Sequence, residues 1–444
     1  MLQMANHKSD GMEVQAVFDA LFKPITIGRV NIKNRIAVAP MNKMGERDCH
    51  PTKQYMCFFN ARSLGGFGLI TTGAILTSKM AADESPSGPP NLYRGSMNYG
   101  YYTDFVESIH SMSKDTKVFA QLSPGFGRQT GMKDAAGASA IPFMKEDLID
   151  GIPKASLAWN KYHLADWTES LLAAPRNMTV EEISDAQKNF LWAAERAILL
   201  GFDGIEIHAC HGYVLHQFLS PRTNTRTDVY GGSVENRSRY LMELVTLCRK
   251  TFGDVVPLVV RLSGREYQED GISSEDMRKT AYLCQEAGAD GIELSNGSGY
   301  DDLEHYFCST PDNMELLKAQ GKKLKEAIKI PVITPGLTTP QVAEMAVQNG
   351  ETDLVSLGRQ AIADPDWPNK VKEGRLDEIT RCTKCNLCLS MIQSGTGSTR
   401  CSQNPNFGKE EYMPQYWPKP MKGRIPPTLK RWKPGLRWLE KSEG

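Results

Sequence analysis

Short apolar, β-branched runs alternate along most of this chain with longer stretches whose apolar positions recur every three or four residues. The short runs, at 36–39, 69–72, 118–122, 204–208, 258–262, 291–294, 332–334 and 354–357, predict eight strands. The stretches between them predict amphipathic helices, such as 180–200, with Thr179 as N-cap and Glu182 placed to complete a capping box. Another spans 338–348 and is entered through Thr339-Pro340. Gly201-Phe202-Asp203-Gly204 and Gly288-Ala289-Asp290-Gly291 predict tight helix-to-strand turns, the first glycine of each being left-handed. Alternation of this kind gives a parallel sheet. Eight repeats predict an α/β fold of the (β/α)8 TIM-barrel type, with a doubly wound sheet as the competing arrangement.

The residues that follow the runs favour the barrel. Working groups in that fold sit just past the carboxyl ends of the strands. Here those positions hold Pro40-Met41, Gly73, Gln121, His208, Arg261, Ser295, Gly336 and Gly358-Arg359, while the run bodies are apolar. No Gly-x-Gly-x-x-Gly follows a run, so a Rossmann dinucleotide unit is not expected. The expected organisation is an extension over 1–20, a barrel over 21–375, a four-cysteine segment over 376–404 and a Pro-, Trp- and Lys-rich tail over 405–444. Within the barrel, 133–172 is a lid-like loop whose Trp159, Tyr162 and Trp167 suit either substrate covering or surface packing.

Composition narrows the picture further. Lys plus Arg and Asp plus Glu balance at 52 each, against bulk binding of nucleic acid or a membrane surface. No apolar run approaches the ~18 residues of a membrane span, and the amino terminus lacks a signal-like apolar region. A cytoplasmic location with reduced thiols is the expectation. Of ten cysteines, Cys49, Cys57, Cys210, Cys248, Cys284 and Cys308 lie far apart and read as small buried hydrophobes. The other four are clustered.

Those four are Cys382, Cys385 and Cys388, spaced C-x2-C-x2-C, and Cys401. Three thiolates so close together converge on one small volume, and a fourth arrives from further along, as a [4Fe-4S] cubane requires. Zinc is the alternative, although structural zinc normally joins two separated C-x-x-C knuckles. A second motif, His208-Ala209-Cys210-His211-Gly212-Tyr213, closes the fourth run. Two imidazoles there can donate to one carbonyl oxygen while a phenol delivers a proton. The plainer reading is two hydrogen-bonded turn histidines; zinc lacks a third ligand nearby. Finally, Gly336 and Gly358-Arg359 follow the last two runs. Glycines there let backbone N–H groups approach a phosphate, with Arg359 adding charge, or form two ordinary turns.

Taken together, Leu21-Phe22-Lys23-Pro24, Asn34-Arg35, Ala39-Pro40-Met41 and the blocks 201–208 and 228–237 resemble the Old Yellow Enzyme family of FMN barrels. With the cysteine segment, the likeness is to its iron–sulfur subfamily of 2,4-dienoyl-CoA reductase, 2-enoate reductase and trimethylamine dehydrogenase. The resemblance implies that Pro40, Met41, Gly73 and Gln121 line the flavin ring. It puts Arg261 at the N1/C2 carbonyl region and Gly336, Gly358 and Arg359 on the FMN phosphate. His208 and His211 then bind the substrate carbonyl, Tyr213 is the proton donor, and Cys382, Cys385, Cys388 and Cys401 hold the cluster. The stretch Pro40-Met41-Asn42-Lys43 lacks the cysteine that attaches flavin in trimethylamine dehydrogenase, so a noncovalent FMN is expected. The cluster spacing is one residue shorter between the second and third ligands than the common family form. The sequence stops soon after Cys401, so the FAD- and NAD(P)-binding half of longer relatives is not expected.

The implied activity is that of an ene reductase acting on an enone, enoate, enoyl thioester or steroid-type enone. An oxidative amine dehydrogenase or demethylase of the trimethylamine dehydrogenase type, and a non-catalytic electron-transfer subunit, are the alternatives. Electrons are expected to enter through the cluster from a separate flavoprotein subunit, ferredoxin or flavodoxin, with NAD(P)H acting directly on FMN as the other route. The basic residues from Lys419 to Lys441 suit an acidic carrier or a tail wrapped on the barrel. A homo-oligomer is compatible with all of this.

Overall fold

The computed structural model describes residues 18–42, 50–78, 90–93, 98–130, 135–143, 172–299, 302–306, 311–388 and 400–418. Trp159, Tyr162 and Trp167 of the expected lid, Cys49, Cys308 and the tail beyond residue 418 lie outside the described residues. Eight parallel strands form the centre: β1 (Ile36–Val38), β2 (Leu69–Thr71), β3 (Lys117–Ser123), β4 (Gly204–Ala209), β5 (Leu258–Ser263), β6 (Gly291–Ser295), β7 (Val332–Pro335) and β8 (Leu354–Leu357). Each pairs with its successor, and β8 pairs back onto β1 with Leu357 opposite Val38. That closure makes a (β/α)8 barrel and excludes the doubly wound sheet.

Helices α1 (Lys53–Leu64), α2 (Tyr99–Met112), α3 (Val180–Leu199), α4 (Val234–Phe252), α5 (Ser274–Glu286), α6 (Pro311–Ala327) and α7 (Pro340–Gln348) follow the first seven strands. Local chemistry sets their ends. The Thr179 hydroxyl accepts from the Glu182 N–H and the Glu182 carboxylate accepts from the Thr179 N–H, so two orphan donors at the start of α3 are satisfied. Helix α7 begins at Pro340, two residues later than the periodicity predicts, because a proline without an N–H fits the first turn. Gly201 and Gly288 have φ of 105° and 106°, as the helix-to-strand turns require. Among the described residues no helix is long and apolar enough to cross a membrane.

The barrel interior has two contrasting layers. At the amino ends of the strands, Ala37, Leu69, Phe119, Val259, Ile333 and Leu354 pack with Ile27 and Ile32. The last two come from a short antiparallel hairpin, Ile25–Ile27 with Val30–Ile32, which plugs that end. Two residues further along, the same inward alternation delivers Gln121, Glu206, Arg261, Glu293 and Ser356, all buried. Barrel layers are usually filled by bulky branched residues. A polar layer therefore marks the carboxyl end as the working end.

The described part of the carboxy-terminal segment packs on the barrel, as the wrapping alternative has it. Phe407 sits edge-on to Phe58 with ring centroids 5.8 Å apart, and the Asn60 amide donates to the Tyr416 carbonyl at 2.8 Å. Arg62 and Glu410, both buried, pair at 3.4 Å. Removing one member of such a pair strands the other charge in a poor solvent. Glu410→Ala should therefore destabilise the fold by about 3–5 kcal/mol, measured by urea unfolding.

Candidate active site

The chain reverses sharply after β4. His211 adopts φ 64° and Gly212 φ 73°, a conformation that non-glycine residues seldom hold. The turn is over-determined by its surroundings. Ser263 Oγ of β5 accepts from the His211 N–H at 3.3 Å, and Gln129 donates to the carbonyls of His211 and Ser298 at 3.2 Å each. A side chain on Gly212 would strike Gln129 at 2.1 Å and the Ser298 carbonyl at 2.2 Å. Strain held this firmly is typical of functional turns.

The reversal gathers the predicted trio. The His208 and His211 rings lie 5.3 Å apart, centroid to centroid, and the Tyr213 ring lies 4.8 Å from that of His208. Both histidines are buried, whereas Tyr213, at the start of a short helix (Val214–Leu219), is half-buried. His211 Nε2 is hydrogen-bonded to Ser295 Oγ of β6, and the Tyr306 ring stands edge-on to it at 4.6 Å. His208 Nδ1 is buried with no hydrogen-bond partner, a donor or acceptor left for something that enters the site.

One expectation is corrected here. Cys210 is fully buried, as expected of a small hydrophobe, and its Sγ also lies 3.7 Å from His208 Nε2. Ligating atoms of His208, Cys210 and His211 fall within 4.8 Å of one another, so a third potential metal ligand does lie nearby. The left-handed turn at His211, invisible in residue spacing, brings the His211 imidazole back toward His208 and Cys210. The neighbouring Arg261 opposes a cation there, for its charge joins burial in holding the His208 imidazole neutral.

Burial first, then Arg261, pushes the His208 pKa down to about 3, and the same causes hold His211 well below its ordinary value. Both are neutral donors at physiological pH. The unfolded chain takes up these protons near 6.5, while the folded chain refuses that of His208 until about 3. Their contribution to stability is thus complete above about 6.5 and drains away as pH falls toward about 3. Melting temperatures should fall less steeply over that window in the His208→Asn/His211→Asn double variant than in the parent.

The other predicted positions converge around the same mouth. A Cβ on Gly73 would meet the Met41 carbonyl at 2.4 Å and Asn42 Oδ1 at 2.1 Å, so β1 and β2 approach there only through glycine. On Gly358 it would meet nothing closer than Met41 Sδ at 3.8 Å. Among the described residues none comes close enough to require glycine at 358, which leaves its backbone bare for a group lying against it. Gly336, at φ 86°, has only Met314 within 4 Å of such a Cβ. Pro40, Met41, Gly336, Gly358 and Arg359 are all partly exposed. Gln121, His208 and Arg261 lie inside β3, β4 and β5 near their carboxyl ends rather than after them. Arg261 Nε is buried without a hydrogen-bond partner. Orphaned donors, bare glycine backbone and an open mouth fit a flavin.

Sequence reasoning missed Glu206, Glu293, Ser295 as a partner of His211, and Tyr306. The first two had a signal. A carboxylate two residues before His208 on β4, and another two before Ser295 on β6, share the inward face of an otherwise apolar strand.

The cysteine loop is tied to the barrel by Gln360, whose amide donates to the Thr380 carbonyl at 2.9 Å and accepts from the Cys382 N–H at 3.0 Å. Left-handed Lys384 and Asn386, at φ 58° and 59°, curl the loop. The N–H groups of Lys384 and Gln403 point at Cys382 Sγ and Cys401 Sγ, each at 3.4 Å. Such donors stabilise thiolates. Burial pushes the Cys388 thiol up to about 12, with the three other cysteines adding to the rise against Arg359. Yet the four sulfurs do not close on a single ion; among the described residues only His208, Cys210 and His211 do. Four thiols, two of them receiving backbone N–H groups, are the donor set that an iron–sulfur cluster would take.

Paired buried imidazoles and a half-buried phenol at the carboxyl end of a closed barrel suit an oxidoreductase. Residues 20–378 match the NADH:flavin oxidoreductase / NADH oxidase family, and the chain belongs to it. It is 31% identical over 411 residues to an NADH oxidase of Thermoanaerobacter brockii, covering 92% of this chain and 59% of that protein. It is likewise 31% identical over 414 residues to a cinnamate reductase of Clostridium sporogenes, covering 89% and 59%. A solved 2-naphthoyl-CoA reductase in complex with 2-naphthoyl-CoA superposes with a TM-score of 0.73 at 26% identity, over 89% of this chain and 58% of that one. The chain thus spans about three-fifths of these longer relatives.

Proposed function

We propose that this chain is an FMN- and [4Fe-4S]-dependent ene reductase that saturates the activated C=C of an α,β-unsaturated carbonyl compound. The observation that carries the reading is the gathering of two neutral imidazoles and a phenol at one turn. Pro40, Met41, Gly73, Gln121 and Arg261 would hold the flavin ring, and Gly336, Gly358 and Arg359 its phosphate. Bound there, FMN supplies the hydride chemistry. His208 and His211 donate N–H bonds to the substrate carbonyl oxygen, which draws electron density from the β-carbon and stabilises the enolate charge that develops. Being neutral, they bind that oxygen without protonating it. Tyr213 gives its proton to the α-carbon and recovers one from solvent, to which its half-buried position gives access.

Cys382, Cys385, Cys388 and Cys401 would hold the cluster, and electrons enter through it from a protein donor. A cinnamate reductase and a 2-naphthoyl-CoA reductase among the relatives favour aryl-conjugated acids and thioesters as the first substrates to assay. The test is anaerobic turnover of the chemically reduced protein against enoates, enoyl thioesters, cyclic enones and tertiary amines. A saturated product from at least one conjugated carbonyl is expected. Amine oxidation with every conjugated carbonyl untouched would sink the reading.

A further inference from the structure

Two carboxyl groups stand in the middle of the barrel with one cation to balance them. Glu206 and Glu293 are each 1% exposed and Arg261 is 7% exposed. Gln121 Nε2 donates to Glu206 Oε1 at 2.6 Å, and Ser356 Oγ donates to Glu293 Oε1 at 3.0 Å. Arg261 Nε lies 3.7 Å from that same Glu293 oxygen. Glu293 Oε2 is buried with no hydrogen-bond partner, and burial followed by the charge of the Glu293 carboxylate raises the Glu206 pKa well above its ordinary value. Two buried carboxyl groups served by one guanidinium are stabilised when one proton rests on the pair. The remaining groups around the set, His208, His211, Cys210 and Tyr306, are all held in their neutral forms by burial. His216 lies further out and is paired with Glu266 at 3.1 Å. With one shared proton the set is neutral: one guanidinium, one carboxylate and one carboxyl. Without it, a net negative charge would sit among buried groups.

We propose that Glu206 and Glu293 share a single proton, and that this neutral set, acting through Gln121 and Arg261, fixes the charge presented to the pyrimidine edge of the flavin. The second half rests on the flavin placement given under Proposed function; the first does not. Both glutamates are positioning residues, since they act through the groups that would touch the ring. Charge counting then gives an unusual expectation. Replacing either glutamate by Gln removes the shared proton but leaves one carboxylate against Arg261, so the net charge stays at zero. Replacing both leaves the guanidinium alone, with a net charge of plus one.

Two measurements test this. In flavin-free protein, the infrared C=O stretch of a protonated carboxyl group should appear in the difference spectrum of the parent minus Glu206→Gln, and equally of the parent minus Glu293→Gln. Its absence from both would overturn proton sharing, whatever the cofactor does. In FMN-loaded protein, sulfite addition to flavin N5 reports the stabilisation of negative charge at the pyrimidine edge. The sulfite Kd of either single variant should stay within about threefold of the parent. That of the double variant should tighten by about tenfold or more, as one uncompensated charge nearby in a protein-like dielectric implies. Two single effects that simply add up to the double effect would mean two ionised glutamates, and would overturn the proposal. A double variant that binds FMN normally and leaves sulfite affinity unchanged would overturn the link to the flavin. Failure of the parent to bind FMN at all would instead refute the placement under Proposed function, and the infrared result would still decide the proton. Gln keeps the volume and the hydrogen-bonding oxygen of each side chain, and flavin content with thermal unfolding identifies any variant that misfolds.

Discussion

Tyr213→Phe should slow reoxidation of the reduced flavin by a conjugated carbonyl by about 10²–10⁴-fold, the usual worth of a positioned general acid, and leave flavin reduction at the parental rate. The asymmetry follows from position. Tyr213 stands beside His208, at a ring separation of 4.8 Å, on the turn that follows β4. His208→Asn and His211→Asn address a different step. They remove donors to the carbonyl oxygen, so they should chiefly weaken binding of phenols and enones. Stopped-flow traces of the two half-reactions, recorded separately under anaerobic conditions, distinguish these roles. An unimpaired oxidative half-reaction in Tyr213→Phe would assign the acid to another group or to water.

The second large effect concerns the cysteines. Purified anaerobically, the protein should carry about four iron and four sulfide per chain. Stoichiometric zinc without sulfide would overturn the cluster. Cys385 is the exposed member of the four; burial, the largest single cause, raises its pKa, but the Ser402 hydroxyl at 3.1 Å and the backbone donors together outweigh it and lower the pKa. As a cluster ligand it would be the one nearest solvent and so the natural point of electron entry. Cys385→Ala should abolish rapid flavin reduction by a one-electron donor such as reduced ferredoxin or a viologen. NADH or NADPH alone should reduce the flavin slowly in both proteins. Rapid reduction by either nicotinamide, surviving Cys385→Ala, would refute entry through the cluster.

Much of this was legible before any coordinates. All eight strands lie where the apolar runs put them, and the Thr179–Glu182 capping box is present, because both depend on neighbours in sequence. The His208–His211–Tyr213 grouping was legible for the same reason. Contacts across the barrel were not. Glu206 and Glu293 face the same interior, and His211 meets Ser295, only once the strands β4, β5 and β6 are set in register. Cys210 is buried as its spacing leads one to expect, but its closeness to His211 depends on the turn, where His211 takes φ 64°. The docking of 404–418 on α1 rests on pairs such as Arg62 with Glu410, which are 348 residues apart and carry no local signature.

The hairpin beneath the barrel makes the interior a blind well. Ile27 and Ile32, packed with Phe119, Val259, Leu69, Ile333 and Leu354, form a seal with no polar atom among their side chains. A proton bound to the Glu206–Glu293 pair can therefore trade with solvent only through the mouth, past the histidines and whatever lies over them. Isotope exchange at that pair becomes a clock for occupancy: quick while the mouth is open, slow once a ligand stoppers it, and indifferent to anything that happens at the sealed end.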